Sequence, residues 1–285
     1  MSRYVILYNP MSGNGKGKNV AENITLPEGT TAEFVDITKI TDYKSFFDGI
    51  KEPDRLVLCG GDGTLNRFVN DTADLKRPKE ILFCPSGTGN DFLNDIGKPE
   101  NGLVELDPYI AHLPTVTVKG KTCYFLNGIG FGIDGYCCEE GDKQRAAGKT
   151  DINYTSIAIT GLLFHFKPRM ATVTVDGVTK TFRKVWIAPT MNGRCYGGGM
   201  FPTPGQDRLH NDTVSLMLMY GKGRLKTLMV FPSIFKGEHV KHTEMVEIMS
   251  GKEITVKFDM PTALQIDGET VTNVTEYTVK SAALV

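Results

Sequence analysis

The apolar positions of this chain follow two textures. Up to about residue 98, short apolar runs alternate with stretches suited to helices. Tyr4–Tyr8, Thr31–Ile37, Arg55–Cys59 and Glu80–Cys84 read as strands, and strands alternating with helices predict a parallel sheet covered on both faces. Beyond Gly97-Lys-Pro-Glu-Asn-Gly102 short strands dominate, often with period-two alternation: Thr115–Val118, Cys123–Asn127, Ala171–Val175, Thr181–Ala188, Val214–Leu218, Glu253–Phe258 and Ala263–Ile266. Asp176-Gly177 between two of them is a hairpin signal. Helices are expected at Ile152–Phe166 and Arg224–Phe235. No internal repeat or low-complexity tract interrupts the pattern. The expectation is an α/β domain over residues 1–110, a β-rich domain over 111–274, and a cleft between them.

Composition narrows the class. The chain has 285 residues, of which 40% are hydrophobic and 23% charged, values ordinary for a soluble globular protein. A net charge of −1 gives no nucleic-acid footprint. The first residues lead straight into a strand pattern, so no signal peptide is expected, and no apolar run approaches the roughly 20 residues needed to span a bilayer. The six cysteines show no CxxC spacing, which argues against zinc and for reduced thiols in a cytoplasmic protein.

The chemistry concentrates behind the strands of the first half. Leu56-Val-Leu-Cys59 runs into Gly60-Gly-Asp-Gly-Thr64, and Leu65 to Val69 suit a helix start. A strand, a Gly-rich turn and a helix N-terminus make an anion site, because backbone N–H groups point outward and no Cβ obstructs a phosphate. Asp62 would repel phosphate unless it holds Mg²⁺, a ribose hydroxyl or a proton, which points to nucleotide chemistry. Two loops share this grammar: Asn9-Pro-Met-Ser-Gly-Asn-Gly-Lys-Gly17 and Pro85-Ser-Gly-Thr-Gly-Asn-Asp91. In an open α/β sheet such loops gather at the carboxyl ends of the strands. None is a P-loop. Ahead of Gly15-Lys16 and Gly17-Lys18 the required glycine is replaced by Pro10 and Ser12, and no Ser or Thr follows either lysine.

Taken together, Asn9-Pro-x-Ser-Gly13, Gly60-Gly-Asp-Gly-Thr64 and Pro85-x-Gly-Thr-Gly-Asn-Asp91 resemble the diacylglycerol kinase catalytic domain family, in its bacterial soluble lipid-kinase form. Asn127-Gly-Ile-Gly-Phe-Gly-Ile-Asp134, Asn192-Gly-Arg-Cys-Tyr-Gly-Gly-Gly199 and Gln265-Ile-Asp-Gly-Glu269 continue the resemblance in order. It implies an α/β N-terminal domain with a parallel sheet, of the NAD kinase and diacylglycerol kinase type, and a β-rich sandwich as C-terminal domain. It also implies ATP in the interdomain cleft and a tail, residues 275–285, that returns to the first domain.

The resemblance assigns roles. ATP falls to Asn9, Pro10, Ser12 and Gly13, to Gly60, Gly61, Asp62, Gly63, Thr64 and Asn66, and to Gly87, Thr88, Asn90 and Asp91. Thr38 is either a nucleotide contact or an ordinary strand-end threonine, and Asp91 either a site acid or a helix N-cap. Asp134 is the remaining cleft acid. Asp267 is the candidate general base, with Glu269 as rival base or metal partner; spacing alone would read Asp267-Gly268 as a turn. A structural Mg²⁺ would fall at Asp212, where Thr213 replaces the usual following glycine. The implied cofactors are ATP and Mg²⁺, and the acceptor is a lipid alcohol such as diacylglycerol.

The apolar stretch Ile157 to Phe166, bracketed by Lys143, Arg145, Lys149, Lys167 and Arg169, reads either as a core helix or as a face for an anionic membrane. For Arg224–Phe235 the core reading is preferred. Peripheral membrane association of a cytoplasmic protein follows, without nucleic acid and with a homodimer left open. Competing readings are an NAD kinase, whose Asn-Glu motif is missing, a phosphofructokinase, and a catalytically inactive lipid- or nucleotide-binding regulator.

Overall fold

The computed structural model describes residues 2–87, 89–97, 99, 102–210 and 212–282. The chain divides into two compact units, one ending at His112 and the other beginning at Leu113.

The first unit runs β1 (Arg3–Tyr8), α1 (Ser12–Gly15), α2 (Gly17–Glu22), β2 (Thr31–Asp36), α3 (Tyr43–Asp48), β3 (Arg55–Gly60), α4 (Asp62–Asp71), β4 (Ile81–Pro85), α5 (Asp91–Ile96), β5 (Val104–Glu105) and α6 (Asp107–Ile110). Its sheet has the order β2-β1-β3-β4-β5. The first four strands are parallel and β5 is an antiparallel edge. Tyr4, Ile6, Val57, Cys59 and Cys84 bury one face against Ala21 of α2. Val5, Leu7, Leu56 and Leu58 alternate onto the other face and are equally buried. Parallel strands covered on both faces read as continuous apolar runs, which is why β1, β3 and β4 were legible, whereas the edge strand β2 is largely exposed. The strand order reverses between β1 and β3. Open α/β sheets bind ligands at such a switch point, beyond the strands' carboxyl ends.

The second unit runs β6 (Thr115–Val118), β7 (Lys121–Tyr124), β8 (Gly128–Gly132), α7 (Ile133–Ala146), α8 (Tyr154–Thr160), β9 (Arg169–Val175), β10 (Val178–Val185), β11 (Ile187–Met191), β12 (Val214–Met219), α9 (Arg224–Val230), β13 (Val246–Gly251), β14 (Glu253–Ile266) and β15 (Glu269–Lys280). The strands form one antiparallel sheet in the order β13-β12-β11-β8-β14-β15-β6-β7, with β9 and β10 branching from β14. Near its start β14 pairs with β9, and at its end with β8, so the sheet forks along this strand. In β12, Val214, Leu216 and Leu218 face a core shared with β6, β8, β9, β14 and β15. Met217 and Met219 face a second core made with Ile133, Ala158, Leu162 and Phe231. Strand periodicity thus gives β12 two buried faces, one inside the β-rich core and one under helices.

Several sequence expectations shift here. Cys123–Asn127 is not one strand: β7 stops at Tyr124, and Gly128–Gly132, read only as part of a family motif and assigned no strand, is the fully buried β8. Glycine disfavours strands, but here it is required by close approach. A Cβ on Gly128 would lie 2.4 Å from the Met191 sulfur, and one on Gly130 would lie 2.3 Å from an Asp134 oxygen. Helix α7 was not expected. Its Gly135 lets it settle on β14, where a Cβ would lie 1.9 Å from the Ala263 carbonyl oxygen. The helix at Ile152–Phe166 begins at Tyr154 and passes into a π-helical turn at Gly161–His165. The helix at Arg224–Phe235 gives way to 3-10 geometry at Phe231, where Pro232 lacks the N–H an α-helix needs. Asp176-Gly177 makes its hairpin with both φ values positive, 46° and 83°. Residues 275–280, expected to return to the first domain, belong instead to β15, which pairs with β6 and β14.

Candidate functional site

Three loops close on one another at the switch point of the first unit. After β1, the Asn9 N–H donates to the Cys59 carbonyl at 3.2 Å, carrying the β1–β3 ladder one residue further. The Asn9 side chain then works in two directions. Its amide donates to the Thr64 hydroxyl at 3.0 Å, and its oxygen accepts from the Met11 N–H at 3.0 Å. Ser12 lies 3.3 Å from the same Thr64 hydroxyl. Gly13 and Asn14 take left-handed conformations, with φ of 57° and 58°.

The glycines meet backbone. A Cβ on Gly13 would lie 2.4 Å from the Ser86 carbonyl oxygen. One on Gly61 would lie 3.0 Å from the Gly87 Cα, and one on Gly87 would lie 2.7 Å from the Gly61 Cα. The loops after β3 and β4 therefore touch through their glycine backbones, and the Ser86 N–H donates to Gly60 at 2.8 Å. Gly63 and Gly89 face outward with nothing near a notional Cβ. No side chain caps α4. The Ser86 hydroxyl is buried in this cradle and has no hydrogen-bond partner among the described residues. Ser86 was missed in the sequence, where it counted only as the variable position after Pro85.

Asp62, expected at the metal or the nucleotide, is engaged by backbone donors of the third loop. Its carboxylate accepts the Asp91 N–H at 2.7 Å and the Phe92 N–H at 3.4 Å, so it caps α5 from the first turn of α4. Asp91 is buried in the first turn of α5, and the residue in front of it is Asn90, in left-handed geometry (φ 44°). Asn66 accepts from the Asn70 side chain at its carbonyl, 3.0 Å, and its side-chain oxygen, 3.3 Å. Pro10 is half-buried beside Asn9. Thr38 is exposed at the end of β2, where its N–H and hydroxyl both donate to Asp36, at 3.0 and 2.7 Å. Thr88 lies outside the described residues.

The second unit holds a polar centre of another kind. Asp267 forms the tight turn between β14 and β15 with φ of 45°. Its carboxylate accepts the N–H groups of Leu126, of Asn127 at 2.8 Å and of Gly128 at 3.0 Å. Burial pushes its pKa up, while these donors and Arg208 oppose the shift. Arg208 donates to the Asn127 side chain at 3.0 Å and to the Leu126 carbonyl at 3.3 Å. The Asn192 amide reaches that same carbonyl at 3.0 Å. Arg208 stood unremarked in the segment read for metal ligands. Glu269 is exposed at the start of β15. Asp134, near the start of α7, is buried and receives the Tyr196 hydroxyl; burial raises its pKa to about 7.

The cradle fits a nucleotide phosphate, since an orphaned buried hydroxyl and glycine backbones stand where a Cβ would obstruct it. Asp212 does not fit a structural metal ion. The Lys252 ammonium sits 2.8 Å from its carboxylate and pulls its pKa down. No group of three or more His, Cys, Asp or Glu side chains able to hold a metal occurs among the described residues. A hard cation needs several oxygens, and here a lysine occupies the single acid. Among the described residues no helix is long and apolar enough to cross a membrane.

Comparison with known proteins gives the family and the fold. The diacylglycerol kinase catalytic domain model matches residues 3–117, and the YegS C-terminal NAD kinase beta sandwich-like domain model matches residues 127–284. A diacylglycerol kinase of Mycobacterium tuberculosis is 26% identical over 92% of this chain and 86% of its own. One from Staphylococcus epidermidis is 25% identical over 93% of this chain and 84% of its own. The crystal structure of a diacylglycerol kinase from Bacillus anthracis superposes with a TM-score of 0.64 at 19% identity, covering 98% of this chain and 94% of its own, and so shares the fold. Matched along both of its units, the chain belongs to the family of diacylglycerol kinase catalytic domains, in the form that carries a YegS-type C-terminal β-sandwich-like domain.

Proposed function

We propose that this protein is an ATP-dependent lipid kinase, transferring the γ-phosphate to the hydroxyl of a lipid alcohol, diacylglycerol or a close relative. The observation that carries the reading is the glycine-lined cradle at the β1/β3 switch point, with the buried Ser86 hydroxyl inside it. Backbone N–H groups of Gly60, Gly61, Gly63 and Thr64 receive the phosphates, with Asn9, Ser12, Gly13, Gly87 and Asn90 around them. Asp62 and Asp91 order the seam between the second and third loops. Mg²⁺ accompanies the nucleotide and offsets its charge. Asp267 is the proposed base, its carboxylate held in one orientation by three backbone donors and its proton affinity raised by burial. Glu269 is the alternative base. The lipid acceptor makes this a peripheral membrane enzyme.

One observation favours a second reading, a nucleotide- or lipid-binding regulator without turnover. A carboxylate occupied by three backbone N–H groups is also what a purely structural turn would show. Labelled ATP offered with a panel of lipid alcohols in mixed micelles separates the readings. A phosphorylated lipid identifies the kinase and its acceptor. ATP binding with no labelled product on any alcohol establishes the regulator.

A further inference from the structure

Helix α9, read from the sequence as a core helix, is not wholly one. Leu225 and Met229 lie one turn apart on the same face and are 73% and 71% exposed. Phe164, in the π-helical turn after α8, is 70% exposed. The two elements are tied together: the Arg224 guanidinium donates to the Leu162 carbonyl at 2.7 Å and stacks over Trp186 at 5.4 Å. Three large apolar side chains thus project from adjoining ends of two elements whose opposite faces, Leu162 and Val230, are buried. A cluster of this kind marks an interaction surface.

Charge says what covers it. Residues 159–170 and 220–237 carry Lys167, Arg169, Lys222, Arg224, Lys226 and Lys236 and not one Asp or Glu. The chain as a whole holds 32 Lys and Arg against 33 Asp and Glu, so this is a local excess. Arg224 is partly spent on Leu162, and Lys226 is shared with Glu244 at 3.5 Å. The remaining bases sit at the ends of the two elements, flanking the apolar tips. Glu238 borders Lys236 and Glu244 borders Lys226, but within the two stretches every charge is positive, and apolar side chains able to enter an acyl layer beside such an excess complement an anionic phospholipid surface.

We propose that Phe164, Leu225 and Met229 are the membrane-docking tips of this protein, entering the headgroup boundary of an anionic bilayer while Lys167, Lys222 and Lys236 engage its charge. The inference rests on the lipid-kinase reading for its purpose but not for its evidence.

The test is co-sedimentation of the full chain with phosphatidylcholine vesicles, with and without phosphatidylglycerol. Leu225→Glu/Met229→Glu should weaken binding to the anionic vesicles at least about tenfold, since each side chain forfeits its apolar transfer. Lys222→Gln and Lys236→Gln should each cost about fivefold, and only on vesicles containing phosphatidylglycerol. Val178→Glu, which charges an apolar hairpin position 66% exposed elsewhere in the unit, should change nothing. Thermal melts and ATP affinity should match the wild type in all variants. Unchanged vesicle binding in the double variant would overturn the proposal, as would an equal loss in Val178→Glu. So would a wild-type dimer in sedimentation velocity that the double variant converts to monomer, because the face would then belong to a second copy. If the double variant leaves phosphorylation of vesicle-borne lipid intact, docking fails and the kinase stands. If it abolishes vesicle binding while no lipid alcohol is ever phosphorylated, docking stands and the kinase reading fails.

Discussion

The two polar centres are built from opposite materials. The cradle of the first unit uses glycine backbone, the short hydroxyls of Ser12, Thr64 and Ser86, and the Asn9 amide, with its carboxylate, Asp62, turned to capping α5. The centre in the second unit uses carboxylates, the buried Asp134 and the half-buried Asp267, held by Tyr196, three backbone N–H groups and the neighbourhood of Arg208. Backbone groups satisfied at a loop surface cost the fold little. A carboxylate taken out of water costs a great deal unless donors surround it. Substitutions in the cradle should therefore remove binding and spare stability, whereas those in the second centre should move both.

Asp267→Asn is the severest test of that division. As the proposed base it should lose about 10²–10⁴ in kcat while ATP affinity holds. The new amide also turns a donor toward N–H groups that were donating to the carboxylate, at a cost of about 1–3 kcal/mol in stability. Turnover and thermal unfolding must be measured together. A stability loss with kcat nearly intact makes Asp267 a structural turn and shifts the chemistry to Glu269→Gln. A collapse of ATP affinity would dissolve the contrast between the centres.

Asp134 sharpens the comparison through pH. Its pKa rises from 3.8 unfolded to about 7 folded, because burial disfavours the charge while the Tyr196 hydroxyl only partly compensates. Between these values the folded chain holds a proton that the unfolded chain has released. Stability from this group is therefore complete below about pH 4 and falls as pH rises to about 7, by at most about 4 kcal/mol. Asp134→Asn keeps a side-chain oxygen for Tyr196 and removes the titration. The difference in unfolding free energy between wild type and variant should grow across that window. A difference that stays flat with pH would mean the carboxylate is ionised throughout.

This contrast also explains what was legible in the sequence. The first unit announced itself because parallel strands read as apolar runs and each phosphate loop followed one directly. The second unit hid its elements behind the same residue type. Gly128, Gly130 and Gly132 gave no strand signal and are the buried strand β8; the neighbours that exclude a Cβ at Gly128 and Gly132, Met191 and Trp186, are remote in sequence. Gly135 hid α7 for the same reason. Arg208 and the capping role of Asp62 were unreadable because each is defined by a partner in another segment, and Ser86 because the loops at Gly13 and Gly60 that enclose it are remote in sequence. Asp212 was misread as a metal ligand because Lys252, forty residues on in the bend between β13 and β14, supplies its cation.

Within the cradle, Gly61→Val should part binding from folding. The new Cβ would stand 3.0 Å from the Gly87 Cα, with its methyls closer still, prising the second loop from the third. Displacing phosphate donors by about 1 Å costs on the order of 10²-fold in nucleotide use. Unfolding should change little, because the loop is not core. Gly63→Ala, with open space around its Cβ, is the matched control and should retain folding. Wild-type ATP affinity in a folded Gly61→Val variant would remove the cradle from the site.

The smallest effect is the most discriminating. Ser86 buries a hydroxyl with no partner among the described residues, in a loop where Gly13, Gly60 and Gly87 converge. An unsatisfied buried hydroxyl costs about 1–3 kcal/mol, so Ser86→Ala should leave the melting temperature level or raise it. If that hydroxyl is kept to donate to a nucleotide phosphate, ATP affinity should drop about five- to tenfold, the worth of one hydrogen bond of about 1–1.5 kcal/mol. Calorimetric titration with ATP and a thermal melt on the same sample decide it. A lower melting temperature with unchanged affinity would show that Ser86 serves the fold, and would leave the cradle resting on glycine backbone alone.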